Sequence, residues 1–242
     1  MIKGIYRKMK KREFKDGIRD GLPICLGYIS VSMAFGLTAV KMGIPIWTAV
    51  LISLTNLTSA GQFAGINLLV DHGTYIELAL TTFIINIRYF LMSLSVSQKV
   101  DKDFTTGQRF FASFGITDEV FAVSMQRRKD LSFSYMAGLI LTPILGWTGG
   151  TLIGAVATSL LPQSVTDAMG IALYGMFIAI VIPVARVEKN VLFAVIAAIL
   201  ANYLFTYLKA LQNISGGWSV IIITVVVSAI AAWLFPIQEE EN

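Results

Sequence analysis

The sequence contains eight continuous apolar segments, most of them long enough to cross a lipid bilayer as a helix. They cover residues 22–40, 46–70, 74–97, 110–126, 132–158, 166–185, 190–209 and 216–235. Roughly 20 residues at about 1.5 Å each span the hydrocarbon layer. Apolar residues run without alternation inside the segments, which indicates helices. Charged residues make up 14% of the chain, against about 25% in soluble domains. The sequence therefore predicts an all-α, polytopic membrane protein.

The distribution of Lys and Arg predicts a cytoplasmic N-terminus. Eight of the 19 basic residues fall in the first 20 positions, and cytoplasmic loops carry an excess of such residues. With eight crossings, thirteen basic residues lie inside and five outside, Arg88 excluded. We expect eight crossings, because 25 residues fill one crossing but are short for a hairpin. The alternative has six crossings, with residues 46–70 and 110–126 both re-entrant. It places sixteen basic residues inside and two outside, again without Arg88.

The chain is expected to have three parts. Residues 1–20 form a basic cytoplasmic segment, in which Ile2, Ile5 and Met9 follow helical spacing and predict a short helix on the membrane surface. Residues 21–236 form the membrane transport domain, and residues 237–242 form an acidic cytoplasmic tail. The apolar stretch after residue 21 is too long for a signal-peptide core.

Cofactor chemistry and nucleic-acid binding have no support in the sequence. Cys25 and His72 are the one cysteine and the one histidine, which leaves no zinc cluster, disulfide framework or cysteine–histidine dyad. No phosphate-binding glycine motif is present. The basic residues cluster where they would set the orientation in the membrane, so we expect no nucleic-acid partner. We expect no metal and no cofactor, and an ion or substrate gradient as the energy source.

Arg88 lies near the middle of the apolar run from Tyr75 to Ser97. An arginine at that depth is costly and too far from either interface to reach it, so it needs a polar partner or a ligand. Thr81 and Ser95 share its helical face, and a second polar stripe lies about 200° round from it. That stripe consists of Thr82, Asn86, Ser93 and Ser97. We interpret Arg88 and Asn86 as substrate-binding residues on a central helix. The alternative is that both only join neighbouring helices.

The second apolar segment is interrupted by small and polar residues from Thr55 to Gln62. Broken membrane helices expose backbone groups to a ligand, and a half-helix N-terminus attracts carboxylates. We therefore expect a broken helix near Ser59–Gln62 and place Ser59, Gly61 and Gln62 in a substrate-carboxylate site. The alternative is a small-residue face that packs against another helix.

The fourth segment carries two adjacent carboxylates, Asp118 and Glu119. They point about 100° apart on a helix, so one of them is expected to meet Arg88. The other would be desolvated and able to exchange protons. We predict a role in proton coupling or an ion pair. A purely structural ion pair remains the alternative.

Two patterns concern helix packing. Gly146, Gly150 and Gly154 form a double GxxxG ridge, which favours close contact with another helix of this chain or of another subunit. A weak internal repeat is also suggested by three pairs of similar residues at offsets of 120, 114 and 116. It pairs Pro23 with Pro143, and in eight crossings the repeats would be parallel. The repeat would also match Gly61-Gln62-Phe63 with Gly175-Met176-Phe177, and Asn86 with Asn202.

The chain resembles the AzlC/YgaZ family, the large subunit of branched-chain amino acid exporters. The resemblance rests on FKDGIRDGLPICLGY, SAGQF, NIRYFLMSLS and TDEVFAVS, in this order along the sequence. It implies export of leucine, isoleucine, valine and methionine across a bacterial cytoplasmic (inner) membrane. It also implies a small membrane subunit of the AzlD/YgaH type. The family usually has NxRH, and Tyr89 replaces that histidine here, so a proton role for the histidine does not carry over.

Our leading hypothesis is a secondary exporter that binds a zwitterionic aliphatic amino acid at mid-membrane. Arg88 or the backbone of Ser59–Gln62 would hold the carboxylate, and Asp118 or Glu119 the ammonium. Lipid is a further expected partner. The rival hypotheses are a non-transporting membrane scaffold that uses the glycine ridge, and a membrane enzyme in which the acid pair acts; we expect no enzyme activity.

Overall fold

The computed structural model describes residues 2–158, 175, 178, 181–208, 211 and 214–236, with side chains from Met9 onward. Over these residues it contains nine assigned helices. They are α1 (Ile2–Lys41), α2 (Ile46–Thr55), α3 (Ser59–Val70), α4 (Tyr75–Ser97), α5 (Thr106–Phe114), α6 (Asp118–Gln126), α7 (Phe133–Ala157), α8 (Lys189–Tyr207) and α9 (Gly216–Leu234). Residues 181–187 are also helical. The predicted all-α, multi-pass class is confirmed: five of these helices, α1, α4, α7, α8 and α9, are long and apolar enough to cross a membrane.

The helices form two compact units. The first contains Met1–Gln62 and Asn86–Gly170, and the second contains Phe63–Ile85 and Ile171–Asn242. The predicted surface helix at residues 1–20 is instead the beginning of α1, which continues without interruption to Lys41. The described residues do not include the acidic tail or most of segment 166–185. They also leave out most of Gly175-Met176-Phe177, which belongs to the predicted repeat.

Helices α1 and α7 pack against each other in parallel and form the centre of the first unit. Cys25 faces Gly146, and Met33 faces Gly154, each partner lying 121 residues later. A β-carbon at Gly154 would overlap the backbone of Met33, so only glycine permits this approach. The glycine ridge thus packs against α1 of the same chain. The separation is close to the offset of the predicted repeat.

Two apolar segments are broken within the first unit. Helix α2 ends at Thr55, Asn56 is extended, and α3 begins at Ser59, so the predicted broken helix is confirmed. The second break separates α5 from α6 at residues 115–117 and was not predicted. Its signal is present in the sequence, because Thr117 followed by Asp118 and Glu119 is typical of a helix N-terminus.

The loops before α5 and after α6 are bonded to each other. Leu131 N donates to Lys99 O at 2.9 Å, and Asp101 N donates to Leu131 O at 3.0 Å. Burial, followed by the nearby Glu13 carboxylate, raises the pKa of Asp101 in this junction. A single crossing of residues 110–126 would separate the two loops by the whole bilayer. The two ends of the segment therefore lie close together, which favours the re-entrant alternative over the expected crossing.

A contact in the second unit also favours the alternative with six crossings. The Glu77 carboxylate at the start of α4 accepts hydrogen bonds from the Ser215 hydroxyl and, at 3.2 Å, from Trp218 N at the start of α9. The eight-crossing topology would place these two helix starts on opposite sides of the membrane. Glu77 is buried and accepts from one free N–H group at the α9 N-terminus, as carboxylates at that end of a helix do.

Candidate functional site: an ion pair beside two broken helices

Arg88 of α4 forms an ion pair with Asp118 in the first turn of α6. The Nη2–Oδ2 distance is 2.8 Å, and both side chains are about half exposed in the protein alone. The guanidinium also lies 5.1 Å from the centre of the Tyr89 ring. Thr117 caps α6 by accepting from Val120 N. The cap begins α6 immediately before Asp118, and this fixes the carboxylate opposite Arg88.

Glu119 occupies a different environment from its neighbour. The Tyr28 hydroxyl donates to Glu119 Oε2 at 2.5 Å and lies 2.8 Å from Thr117 Oγ1. No Lys or Arg in the described ranges forms an ion pair with Glu119. Sequence reasoning left open which carboxylate meets Arg88, and the geometry selects Asp118. Tyr28 was not identified beforehand, because a tyrosine in an apolar helix has no distinctive spacing.

Both polar atoms of the Gln62 side chain already form hydrogen bonds within the protein. Its Oε1 accepts from Trp147 Nε1 at 2.6 Å, and its Nε2 donates to Ser53 Oγ at 2.8 Å. The side chain is 1% exposed. Ser53 in turn lies 2.7 Å from Thr151 Oγ1 of α7. Gln62 therefore holds α2 and α3 against α7 across the break, whereas we had expected it to contact substrate.

Three polar atoms beside the first break are buried without a hydrogen-bond partner. They are Thr58 Oγ1, Ser59 Oγ and Asn86 Oδ1. A β-carbon on Gly61 would overlap Thr58 Oγ1 and lie 3.4 Å from Asn86 Nδ2, so these side chains meet around Gly61. Buried polar groups without partners are costly. The cluster is therefore a candidate ligand site, and it includes Thr58, which sequence reasoning did not place there.

The two candidate sites lie on opposite sides of α4. Asn86 and Arg88 are two positions apart, which on a helix is about 200°. Asn86 faces the start of α3, and Arg88 faces the start of α6. Both helices begin at a break, where free N–H groups favour an anion. Within the described residues no group of three or more His, Cys, Asp or Glu could hold a metal ion.

Comparison with known proteins identifies the family. The AzlC protein family matches residues 23–161, which is more than half of the chain. The chain belongs to the AzlC family. This family is associated with branched-chain amino acid export. The match covers Arg88, Asp118 and both broken helices, but it ends before α8 and α9.

Individual relatives of this AzlC-family chain come from bacteria and archaea. An uncharacterized membrane protein of Archaeoglobus fulgidus is 31% identical over 72% of this chain and 77% of its own length. Inner membrane protein YgaZ of Escherichia coli is 30% identical over 69% of this chain and 71% of its own length. An uncharacterized membrane protein of Helicobacter pylori is 28% identical over 61% and 65%. No solved structure matches the chain.

Proposed function

We propose that the protein is the large subunit of a secondary exporter of branched-chain amino acids. Leucine, isoleucine, valine and methionine are its proposed substrates, and a small AzlD/YgaH-type membrane subunit is its proposed partner. The observation that carries this proposal is the ion pair between Arg88 and Asp118, located in a membrane-crossing helix and at a helix break. AzlC-family membership supports the substrate class.

The ion pair has the charge pattern that a zwitterion needs. In the proposed bound state the substrate carboxylate contacts Arg88, and its ammonium contacts Asp118. One protein ion pair is replaced by two protein–ligand pairs, and no uncompensated charge remains at membrane depth. Ser59, Gly61 and Asn86 provide a second polar site across α4, while Gln62 positions the backbone of that site. Exposed Leu91, one turn from Arg88 on the same side of α4, is available for apolar contacts.

We further propose six crossings with both ends of the chain in the cytoplasm of a bacterial inner membrane. The bonded loops at Lys99 and Leu131, together with the contact of Glu77 and Ser215, support this topology. Residues 46–70 and 110–126 are then re-entrant from opposite sides. Sixteen basic residues lie inside and two outside, which agrees with the positive-inside rule.

Thiol labelling in intact cells tests the topology. In a Cys25→Ser background, Lys102→Cys and Lys129→Cys are both expected to resist a membrane-impermeant maleimide until the membrane is permeabilised. Lys41→Cys, at the other end of α1, is expected to react at once. Labelling of Lys102→Cys in intact cells while Lys129→Cys stays protected would restore the eight-crossing topology.

Glu119 is the proposed proton-coupling residue. Glu119 has no ion-pair partner among the described residues, and its carboxylate accepts a hydrogen bond from the Tyr28 hydroxyl. Glu119→Gln is isosteric, keeps an acceptor for Tyr28 and removes the carboxyl group that would carry the proton. We expect this variant to lose about tenfold or more of pH-gradient-driven export while it retains leucine exchange without a gradient. Equal loss of both activities would assign Glu119 a structural role.

Reconstitution tests the function as a whole. The chain and its small subunit are placed in liposomes, and release of labelled leucine is followed with and without a pH gradient. Release of unchanged leucine is the expected result, and chemical conversion would indicate an enzyme. If no branched-chain amino acid moves, the scaffold hypothesis replaces the exporter, with the α1–α7 glycine contact as its structural basis.

A further inference from the structure

A cleft of about 230 Å³ lies between the second half of α4, the following loop and α5. Its base is apolar and buried, and it includes Val96, Phe104 and Ala112. Its polar lining consists of Arg109 and the hydroxyl groups of Ser93, Ser97 and Ser113. The cleft therefore combines one positive charge with an apolar floor.

Arg109 is unpaired in the described part of the chain. It forms none of the ion pairs there, and its side chain makes none of the hydrogen bonds. No carboxylate lines the cleft. A guanidinium favours planar anions such as carboxylates, which it contacts through two parallel hydrogen bonds. The lining thus fits a carboxylate with a short aliphatic tail and offers no carboxylate to pair with an ammonium group.

The cleft is continuous in sequence with the Arg88–Asp118 ion pair. Ser93 lies five residues beyond Arg88, about 7.5 Å along the helix axis. Ile116, which also lines the cleft, lies two residues before Asp118. Asn86, Ser93 and Ser97 share one face of α4, so the second polar stripe leads from the cleft to the site at the start of α3.

We propose that this cleft is a cytoplasmic loading site, in which Arg109 first binds the carboxylate of the amino acid before it moves to mid-membrane. The inference rests on the proposed function and on the proposed six-crossing orientation, which places this end of α4 in the cytoplasm. The ammonium group stays hydrated in the cleft, because no carboxylate lines it.

Substrate protection of a cysteine in the cleft tests the proposal without measuring transport. Ser113→Cys in a Cys25→Ser background places an exposed thiol in the lining. In inverted membrane vesicles containing the full chain and its small subunit, saturating leucine is expected to slow maleimide labelling about fivefold. The 2-oxo acid of leucine should protect similarly, and 3-methylbutylamine, which has no carboxylate, should not.

Arg109→Gln is the decisive variant, and Lys102→Gln is its matched control. Both remove one positive charge from neighbouring positions, but Lys102 does not line the cleft. Arg109→Gln is expected to raise the leucine concentration for half-protection about tenfold, with Lys102→Gln unchanged. Equal effects of the two variants, or protection by the amine, would overturn the proposal.

A lipid headgroup is the main competing occupant. If labelling responds to the phosphatidylglycerol content of the vesicles and ignores leucine, the cleft binds lipid and the loading site is disproved. If leucine moves across the membrane without protecting Ser113→Cys, the loading site fails while the exporter stands. Protection without transport would support the cleft and contradict the exporter.

Discussion

Arg88→Ala is expected to lower leucine export about a hundredfold. The change removes the proposed carboxylate ligand and leaves Asp118 without its 2.8 Å partner at membrane depth. The measurement is the initial rate of leucine release from liposomes, at matched amounts of inserted protein. Arg88→Lys keeps the charge but loses the planar donor group, so we expect an intermediate rate.

Tyr89→Phe is the matched control for this substitution. It removes the neighbouring hydroxyl, which Arg88 contacts at 3.4 Å, but leaves the ion pair intact. We expect nearly parental export from this variant. Asp118→Asn should resemble Arg88→Ala, because the arginine then lacks its counter-charge. An Arg88→Ala protein that inserts normally and exports at the parental rate would disprove the proposed substrate site.

Gly154→Ala is expected to destabilise the first unit by about 1–3 kcal/mol. The added β-carbon would overlap the Met33 backbone, so α1 and α7 must separate. Gly149→Ala, on the same helix, meets nothing within 4 Å. That control is expected to be neutral or to stabilise by about 0.5–1 kcal/mol, since alanine favours a helix over glycine.

The measurement for this pair is the thermal unfolding midpoint in detergent, with both variants purified alongside the parent. Both variants carry the same change of glycine to alanine. The prediction is that the midpoint of Gly154→Ala is lower than that of Gly149→Ala. Equal midpoints for Gly154→Ala and Gly149→Ala would mean that the α1–α7 contact does not depend on the absence of a side chain. A larger residue at position 154 should then also be tolerated.

Much of the candidate site follows from local sequence, because a charge or a run of hydroxyl groups in an apolar helix is conspicuous. Arg88, Asp118 and the break before Ser59 were found in this way. The partners that hold them were not. Tyr28 and Trp147 look like ordinary apolar residues in their own helices, and their hydrogen bonds join positions 85–91 residues apart. Such pairings depend on how helices pack, which composition and spacing do not encode.

The sequence by itself determined that the chain is a helical membrane protein, because only helices satisfy the backbone of such long apolar runs in lipid. It also determined where α2 and α3 separate, since propensity acts locally. The proposed number of crossings depends on the tertiary structure. An apolar segment that enters and returns has the same composition as one that crosses, so only contacts between distant parts distinguish them. Lys99 with Leu131 and Glu77 with Ser215 are those contacts.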